Sequence, residues 1–353
     1  MKILYSVQGT GNGHITRARI MAKAFAEAGI EVDWIFSGRA PSDYFDMEAF
    51  GNFQSYRGLT FSIKQGRILF LKTAMTCNLR QLYKDIKAIK VDGYDFIIND
   101  FEPVSAWAAK RAGKKIIGIS HQNSFFYDIP KQDSNPVIAW FMRNFAPVTQ
   151  PIGLHWHHFD QPILPPLIEP SRYENHLTAK HYVVYLPFSD ASDVTKILRK
   201  FSGFDFFIYQ NITEAVDEDN IHHRPFSREG FQKDLHRCEG VICSAGFELP
   251  SEAIQLGKKI LVMPLQGQME QKSNARALKL LNYATVASSL DESIIEPWLA
   301  TEKPDAIVYP DVAKALVEWL ITSGGNNFNR LHDELWGNPA FQTSLLHKRV
   351  CVN

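Results

Sequence analysis

The sequence lacks the features of a secreted, disulfide-linked or membrane-spanning protein. Four cysteines occur in 353 residues, Cys77, Cys238, Cys243 and Cys351, and none forms a C-x-x-C pair. No apolar run approaches the roughly 18 residues that a membrane-spanning helix needs. The chain begins with the apolar-rich run Ile3–Gln8, which is typical of a buried strand rather than a secretion signal. We therefore expect a cytoplasmic protein with free thiols.

An excess of charge of one sign is also absent. Lys+Arg and Asp+Glu both number 38, so the formal net charge is zero, and no nucleic-acid partner is expected from long-range attraction. Hydrophobic residues make up 45% and charged residues 22%, a normal globular balance. The length suits two domains of roughly 150 to 180 residues each.

Strand and helix patterns alternate along both halves of the chain. Strand patterns occupy residues 2–7, 31–36, 95–99 and 115–120 in the first half and 181–186, 205–209, 240–243, 259–263 and 283–287 in the second. Helix patterns include 16–28, which Gly29 ends, the alanine-rich segment 103–112, and a tail from about 310 to 335. This alternation predicts an α/β protein in which each half forms a parallel sheet covered by helices.

A proline-rich segment divides the two halves. Residues 159–170 contain four prolines, too many for a helix or a central strand. We predict an N-terminal domain over 1–158, a linker over 159–170, and a C-terminal domain with a helical tail over 171–353.

A glycine-rich turn, G-T-G-N-G-H at residues 9–14, follows the first predicted strand. Gly13 suits a tight turn, but a dinucleotide fingerprint would need glycine at position 14, where the chain has His14. His14 lies at the carboxyl end of a strand, where ligands of open α/β sheets collect. Because histidine has an ordinary pKa of about 6.5, His14 is a candidate general base, or it merely caps the turn.

A histidine base needs a partner that fixes its tautomer. Asp100 follows the strand pattern 95–99, and parallel strands bring their carboxyl ends to one edge, so Asp100 is the first candidate and Glu102 the second. Four more polar residues near this edge are candidates for the acceptor site, although ordinary loop or surface roles remain open. They are Arg17, His121, Gln122 and Asn123.

The three nearby histidines His155, His157 and His158 suggest a metal site at first sight. No carboxylate or cysteine lies at ligand spacing, and strand alternation separates the first two side chains from the third. No metal is therefore expected.

The most informative segment is 241–275. A strand ends near Ser244, and Gly246 precedes a helix whose N-terminal N–H groups suit a pyrophosphate. Glu252 lies within this helix, and its carboxylate can accept both hydroxyls of a ribose. Five further residues are donor-site candidates: Gly13 in the glycine turn, Glu270 and Gln271 for sugar hydroxyls, Phe226 for the base, and Phe247 beside the helix start.

This segment resembles the donor signature of the GT-B glycosyltransferases, which include the UDP-glycosyltransferases and the peptidoglycan enzyme that adds N-acetylglucosamine to lipid I. The shared residues are Gly246, Glu252, Pro264, Glu270-Gln271 and Asn274-Ala275. The turn at 11–14 resembles the family's glycine turn with a catalytic histidine. The H-Q-N at 121–123 resembles a His-Glu-Gln-Asn turn of the peptidoglycan enzyme, without its Glu.

The resemblance implies two Rossmann-like domains of GT-B type that face each other across a cleft. It also implies an inverting hexosyltransferase that uses a nucleotide sugar, with a UDP-sugar as the expected donor, and needs neither metal nor other cofactor. The chain departs from the family pattern at Ser244, where histidine is frequent, and at Glu248, where a neutral residue is usual. A nucleotide-sugar 2-epimerase and a non-catalytic donor-binding or partner-binding protein are alternatives on the same fold.

The acceptor is not readable from the sequence. The apolar stretches 67–75 and 136–145 are edged by basic residues, a pattern compatible with contact at the inner membrane face and a lipid-linked acceptor. Burial of these stretches as core helices is the interpretation that we favour.

Overall fold

The alternating patterns fold into two large sheets, one from each half of the chain. The structure, a computed structural model, describes residues 1–59, 63–64, 67–68, 78–170 and 173–350. Within these ranges the architecture is α/β, as predicted.

The first sheet has seven parallel strands. Along the chain the strands of this half are β1 (Lys2–Gln8), β2 (Glu31–Ser37), β3 (Gln54–Tyr56), a separate antiparallel pair β4 (Ile63–Lys64) and β5 (Arg67–Ile68), β6 (Phe96–Asp100), β7 (Ile117–Ser120), β8 (Gln150–Leu154) and β9 (Ile163–Leu164). Their order in the sheet is β3-β2-β1-β6-β7-β8-β9. The helices are α1 (Asn12–Glu27), α2 (Leu79–Ala88), α3 (Pro103–Arg111), α4 (His121–Ser124) and α5 (Pro136–Phe145).

The second sheet also has seven strands, in the order β12-β13-β11-β10-β14-β15-β16, and only β12 pairs in the antiparallel direction. The strands are β10 (His181–Tyr185), β11 (Asp205–Gln210), β12 (Val216–Glu218), β13 (Ile221–Pro225), β14 (Gly240–Ser244), β15 (Lys259–Met263) and β16 (Thr285–Val286). The helices are α6 (Ala191–Leu198), α7 (Arg228–Arg237), α8 (Glu248–Gln255), α9 (Met269–Leu280), α10 (Glu292–Ala300), α11 (Val312–Ser323), α12 (Phe328–Trp336) and α13 (Pro339–Val350).

Two elements differ from the sequence prediction: helix α1 starts earlier, and strand β9 lies within the predicted linker. Helix α1 begins at Asn12, inside the glycine loop, so His14 lies in its first turn. Gly29 adopts a positive φ of 67° and ends this helix, as predicted. Strand β9 lies within the proline-rich segment 159–170, which is possible because it is an edge strand and needs ladder bonds on one side only.

The two halves share a continuous core and many direct contacts. The largest buried cluster contains Tyr5 from the first sheet, Val183 from the second, and Leu316 from the helical tail. Helix α11 packs against α1. The tail also reaches the far edge of the first sheet, where Trp336 Nε1 donates to the Ile163 carbonyl at 2.6 Å. The helical tail therefore covers the first half as well as the second.

The apolar stretch 136–145 forms α5, which is buried on one side only. Phe145 is buried, whereas Val137 and Trp140 are 74% and 65% exposed. Residues 69–75 of the other apolar stretch lie outside the described residues. In the described part of the chain, no helix combines the length and the apolar character needed to cross a bilayer. Cys238 and Cys243 are free and buried, and Cys77 and Cys351 lie outside the described residues.

The packing of β8 against α4 generates a stability prediction. A Cβ added to Gly153 would lie 2.6 Å from the Ser124 Cα, and backbone cannot move aside cheaply. We expect Gly153→Ala to destabilise the fold by about 1–3 kcal/mol, a typical overpacking penalty. Gly203→Ala is the matched control, because a Cβ there meets nothing within 4 Å. A melting temperature equal to that of the control variant would show that this contact is not tight.

Candidate active site in the cleft between the halves

The candidate base and its partner come from adjacent strands. Helix α1 follows β1, and β1 pairs with β6 so that Val7 lies opposite Asp100. His14 Nδ1 is 2.7 Å from Asp100 Oδ1, and the His14 side chain is 12% exposed. Because Nδ1 faces the carboxylate, Nε2 is the ring nitrogen that is left to exchange a proton with a ligand.

Arg17 completes this cluster one turn further along α1. Its Nε donates to Asp100 Oδ2 at 3.0 Å and its Nη2 to Asp100 Oδ1 at 2.8 Å, a two-point interaction with a fully buried carboxylate. Burial alone would raise the pKa of Asp100, but the charges of Arg17 and His14 outweigh this effect and hold the pKa below its usual value. Asp100 is therefore an anion in the folded protein.

Glu248 connects the second half of the chain to the same arginine. It lies in the first turn of α8, and its carboxylate accepts a hydrogen bond from Arg17 Nη1. Burial would lower the pKa of Arg17, but Asp100 and Glu248 together raise it. The carboxylate also lies against the glycine loop, since a Cβ at Gly13 would overlap Glu248 Oε2. The unusual acidic residue is thus neutralised by an ion pair between the halves.

Two helix N-termini that border this cluster have no side-chain cap. Helix α1 starts after Gly11 and α8 starts after Phe247, and neither of these N-cap residues supplies a side chain that accepts from the first-turn N–H groups. A Cβ at Gly246 would meet nothing within 4 Å, so the backbone there is open to a ligand. Ser244 ends β14 immediately before this turn. Uncapped N–H groups with a partial positive charge suit an anion.

Glu102, the second candidate partner of His14, has a structural role instead. Its carboxylate caps α3 by accepting from the Val104 and Ser105 N–H groups, each at 2.7 Å, and from Ser37 Oγ at 2.6 Å. Burial raises its pKa, and these hydrogen bonds oppose the rise. All of its interactions are with the first half, away from the His14 ring.

Glu252 lies on α8 at the wall of a cavity of about 560 Å³ between the halves. Arg19 from α1, Arg228 and Glu229 from α7, and Glu169 before the second sheet also line this cavity. Gln232 Nε2 donates to Glu252 Oε2 at 2.7 Å. Burial raises the pKa of Glu252 to about 7, although the Gln232 hydrogen bond opposes this rise.

Phe226, the candidate base-stacking residue, lies at the carboxyl edge of the second sheet. Its ring is 48% exposed and contacts the Tyr185 ring edge-on, with 6.0 Å between centroids. An exposed aromatic face at this edge of the sheet is available for stacking.

The three acceptor candidates on α4 are buried, and two of them, His121 and Gln122, contact the second half. His121 Nε2 is 2.8 Å from Asn274 Oδ1, and its ring stacks on Phe247 at 4.0 Å. Gln122 Nε2 donates to Glu270 Oε2 at 3.2 Å. Asn123 is 2% exposed. His121 and Gln122 therefore hold the two halves together, and reach a ligand only if the halves separate.

The remaining donor candidates divide between the interface and the cleft. The Phe247 ring is buried under His121, so only its backbone faces the start of α8. Gln271 is buried and its Oε1 accepts from the Leu265 N–H at 2.9 Å. Glu270 is partly exposed beside Gln122.

His155, His157 and His158 do not converge on one point. The rings of His157 and His158 stack on each other at 4.6 Å, and His155 is buried against Trp156. Across the residues that the structure describes, no three His, Cys, Asp or Glu side chains are arranged to hold a metal ion.

Comparison with known proteins identifies the family. The model of glycosyl transferase family 1 matches residues 1–301, which is most of the chain. The chain belongs to glycosyl transferase family 1. No curated protein matches it at a significant level.

Solved glycosyltransferase structures share the fold of this family 1 protein at low sequence identity. SnogD from Streptomyces nogalater aligns with a TM-score of 0.55 and 12% identity over 99% of both chains. MurG from Acinetobacter baumannii aligns with a TM-score of 0.51 and 15% identity over 99% of both chains. The spinosyn rhamnosyltransferase SpnG aligns with a TM-score of 0.54 and 14% identity over 98% of this chain and 100% of its own. The predicted GT-B fold is confirmed.

Two polar residues of this glycosyltransferase cleft, Gln232 and Arg39, were not predicted from the sequence. Gln232 binds Glu252, and nothing in its helical context distinguishes it from a surface residue. Arg39 follows β2 after Gly38 and lies at the same sheet edge as His14 and Asp100. The rule that selected Asp100, a polar residue just beyond a strand, would have found Arg39.

The raised pKa of Glu252 predicts a pH-dependent stability difference. Its ordinary value is 4.5 and its folded value is about 7, so between these values the folded state binds more protons and the free energy of unfolding falls as pH rises. Glu252→Gln cannot ionise. Its melting temperature relative to the wild type should therefore rise with pH between about 4.5 and 7 and stay constant outside this window. A difference independent of pH would contradict the burial of this carboxyl.

Proposed function

We propose that this glycosyltransferase moves a sugar from a nucleotide-sugar donor to an acceptor hydroxyl with inversion, with the donor in the cleft between the halves. The proposal rests on one observation: the start of α8, which has no side-chain cap, lies next to the His14–Asp100 pair. A helix N-terminus stabilises a bound diphosphate, and it stabilises the charge that develops when the diphosphate leaves.

The nucleoside end of the donor would occupy the cavity beside Glu252. A carboxylate there can accept hydrogen bonds from both ribose hydroxyls, while the base stacks on Phe226. Two structural neighbours support a diphosphate donor, since SsfS6 and SpnG were each solved with thymidine diphosphate. A deoxyribose offers only one of these hydroxyls, so we favour a ribonucleotide such as UDP for this chain.

The reaction would proceed as a single displacement at the anomeric carbon. His14 Nε2 removes the proton of the acceptor hydroxyl as its oxygen attacks, and the bond from the sugar to the diphosphate oxygen breaks on the opposite face. Asp100 holds the His14 ring and stabilises the imidazolium that forms. The nucleoside diphosphate leaves with the bonding electrons, and the transition state resembles an oxocarbenium ion. No step in this scheme requires a metal or another cofactor.

A 2-epimerase would need carboxylates that are not already bound to other side chains. The cluster around Arg17 does not contain them. Asp100 is bound by Arg17 and His14, and Glu248 is bound by Arg17. The pairing of a partly exposed His14 with a buried Asp100 likewise argues against a protein that only binds the donor or a partner.

The acceptor would approach from the first half. The exposed Val137 and Trp140 and the basic Arg143 on α5 are compatible with contact at a membrane surface and a lipid-linked acceptor.

The donor site is tested by a thermal-shift panel of UDP-, GDP- and dTDP-sugars on the wild type and Glu252→Ala. A ligand that binds only the native state raises the melting temperature by mass action. We expect one nucleotide class to stabilise the wild type and the variant to lose that response. A ligand at 100 times its Kd stabilises the native state by about 2.7 kcal/mol. If no nucleotide sugar raises the melting temperature of the wild type at about millimolar concentration, the donor assignment is wrong.

The role of His14 is tested separately with His14→Gln. The assay follows the release of nucleoside diphosphate from the donor that stabilises the wild type, with water or a screened alcohol as acceptor. We expect His14→Gln to slow this release by about 10²- to 10⁴-fold, as for loss of a general base. Donor affinity should be unchanged, because His14 acts on the acceptor. Product anomers followed by NMR should show inversion, and retention of configuration would rule out the single displacement.

A further inference from the structure

Arg39 is a cation near the glycine loop that the chain does not neutralise. It follows β2, and its guanidinium lies over the Tyr44 ring at 5.4 Å. Its strongest hydrogen bonds are long, from Nη1 and Nη2 to Asn12 Oδ1, both at 3.3 Å, with a third to the Asp43 carbonyl at 3.4 Å. Asn12 is the first residue of α1, so Arg39 lies beside an uncapped helix N-terminus.

Arg17, another cation at the same edge of the first sheet, has a different environment. Arg17 is bound by two carboxylates, Asp100 and Glu248. Within the described ranges no Asp or Glu forms an ion pair with Arg39, and the residues outside these ranges include no Asp or Glu. Burial lowers the pKa of Arg39, and the nearby Tyr44 and Asp43 only oppose this effect. Arg39 is only partly buried, so its guanidinium is accessible to an external anion, which would supply the missing counter-charge.

The surroundings of Arg39 indicate which anion it would bind. Tyr185, at the end of β10, lies within reach of both Asn12 and Arg39; burial raises the pKa of its phenol, and these two residues oppose the rise. The same Tyr185 ring contacts Phe226. Arg39 therefore lies beside the start of α1, and its charge acts on the Tyr185 ring that contacts the candidate base-stacking residue. In a nucleotide donor, the diphosphate is the group that bridges the nucleoside and the sugar.

We propose that Arg39 is the residue of the first half that binds the donor diphosphate, while Arg17 stays with its two carboxylates and positions His14 and Asp100. This inference rests on the proposed function. It assigns the phosphate contact to a guanidinium fork, which matches phosphate oxygens at two points.

Isothermal titration with three classes of probe tests the proposal. They are a nucleoside diphosphate (UDP, GDP or dTDP), the corresponding nucleoside, and inorganic diphosphate. Arg39→Ala should weaken the binding of the nucleoside diphosphate and of inorganic diphosphate by about 10- to 100-fold, the effect of losing a hydrogen bond to a charged group. Nucleoside affinity should change less than about twofold, since no phosphate is present. Arg39→Lys should recover part of the loss because it keeps the charge without the fork.

The control variant is Arg330→Ala, which removes the same charge from an exposed α12 residue paired only with Glu334. It should bind every probe as the wild type does. Melting temperatures without ligand separate a binding role from a structural one. Arg39→Ala should melt at the wild-type temperature or above it, because it removes an uncompensated charge, whereas a structural role would lower the melting temperature.

The outcomes distinguish this inference from the function on which it rests. If the wild type binds a nucleoside diphosphate and Arg39→Ala binds it equally well, the role of Arg39 is wrong and the donor site stands. If the wild type binds inorganic diphosphate through Arg39 but no nucleotide, the anion site stands and the nucleotide-sugar function fails. Absence of binding of every probe to the wild type would overturn both.

Discussion

The buried ion pairs of Arg17 set the arrangement of the cleft. Arg17 and Asp100 bring together the carboxyl ends of β1 and β6, and Glu248 adds the start of α8 from the other half. Loss of one partner of a buried ion pair typically costs about 3–5 kcal/mol, because the other charge is left without compensation. This constraint holds the His14 ring, through Asp100, beside the start of α8 in the second half.

Glycine makes this close approach possible. The Glu248 carboxylate fits against Gly13 because no Cβ is present there, and the start of α8 stays open because Gly246 has no side chain. Most helices outside the cleft are capped by their own side chains, as α3 is by Glu102. The starts of α1 and α8 lack such caps where they meet. The N–H groups at these helix starts and the Arg39 guanidinium are the groups that we propose bind an anion in the cleft.

The strand–helix alternation predicted both sheets, and the rule that ligands collect at carboxyl ends of strands predicted the His14–Asp100 pair. The family resemblance of residues 241–275 added the donor half. The burial of His121 and Gln122 could not be predicted, because it depends on how closely the halves meet, and no local pattern encodes that distance. The same is true of Glu248, whose charge is unfavourable beside a diphosphate until Arg17 is seen to neutralise it. The helical tail was predicted to belong to the second half alone. Its contacts with α1 join residues that are far apart in the sequence, so no local pattern predicts them.

The central claim is that one charge cluster joins the halves and leaves an anion site beside it. A crystal structure of the protein with the nucleoside diphosphate that stabilises it most would test this claim directly. We expect the diphosphate to contact the N–H groups at the start of α8 and the Arg39 guanidinium, with Arg17 still bound to Asp100. A diphosphate that binds outside the cleft, or that replaces Asp100 on Arg17, would contradict the account.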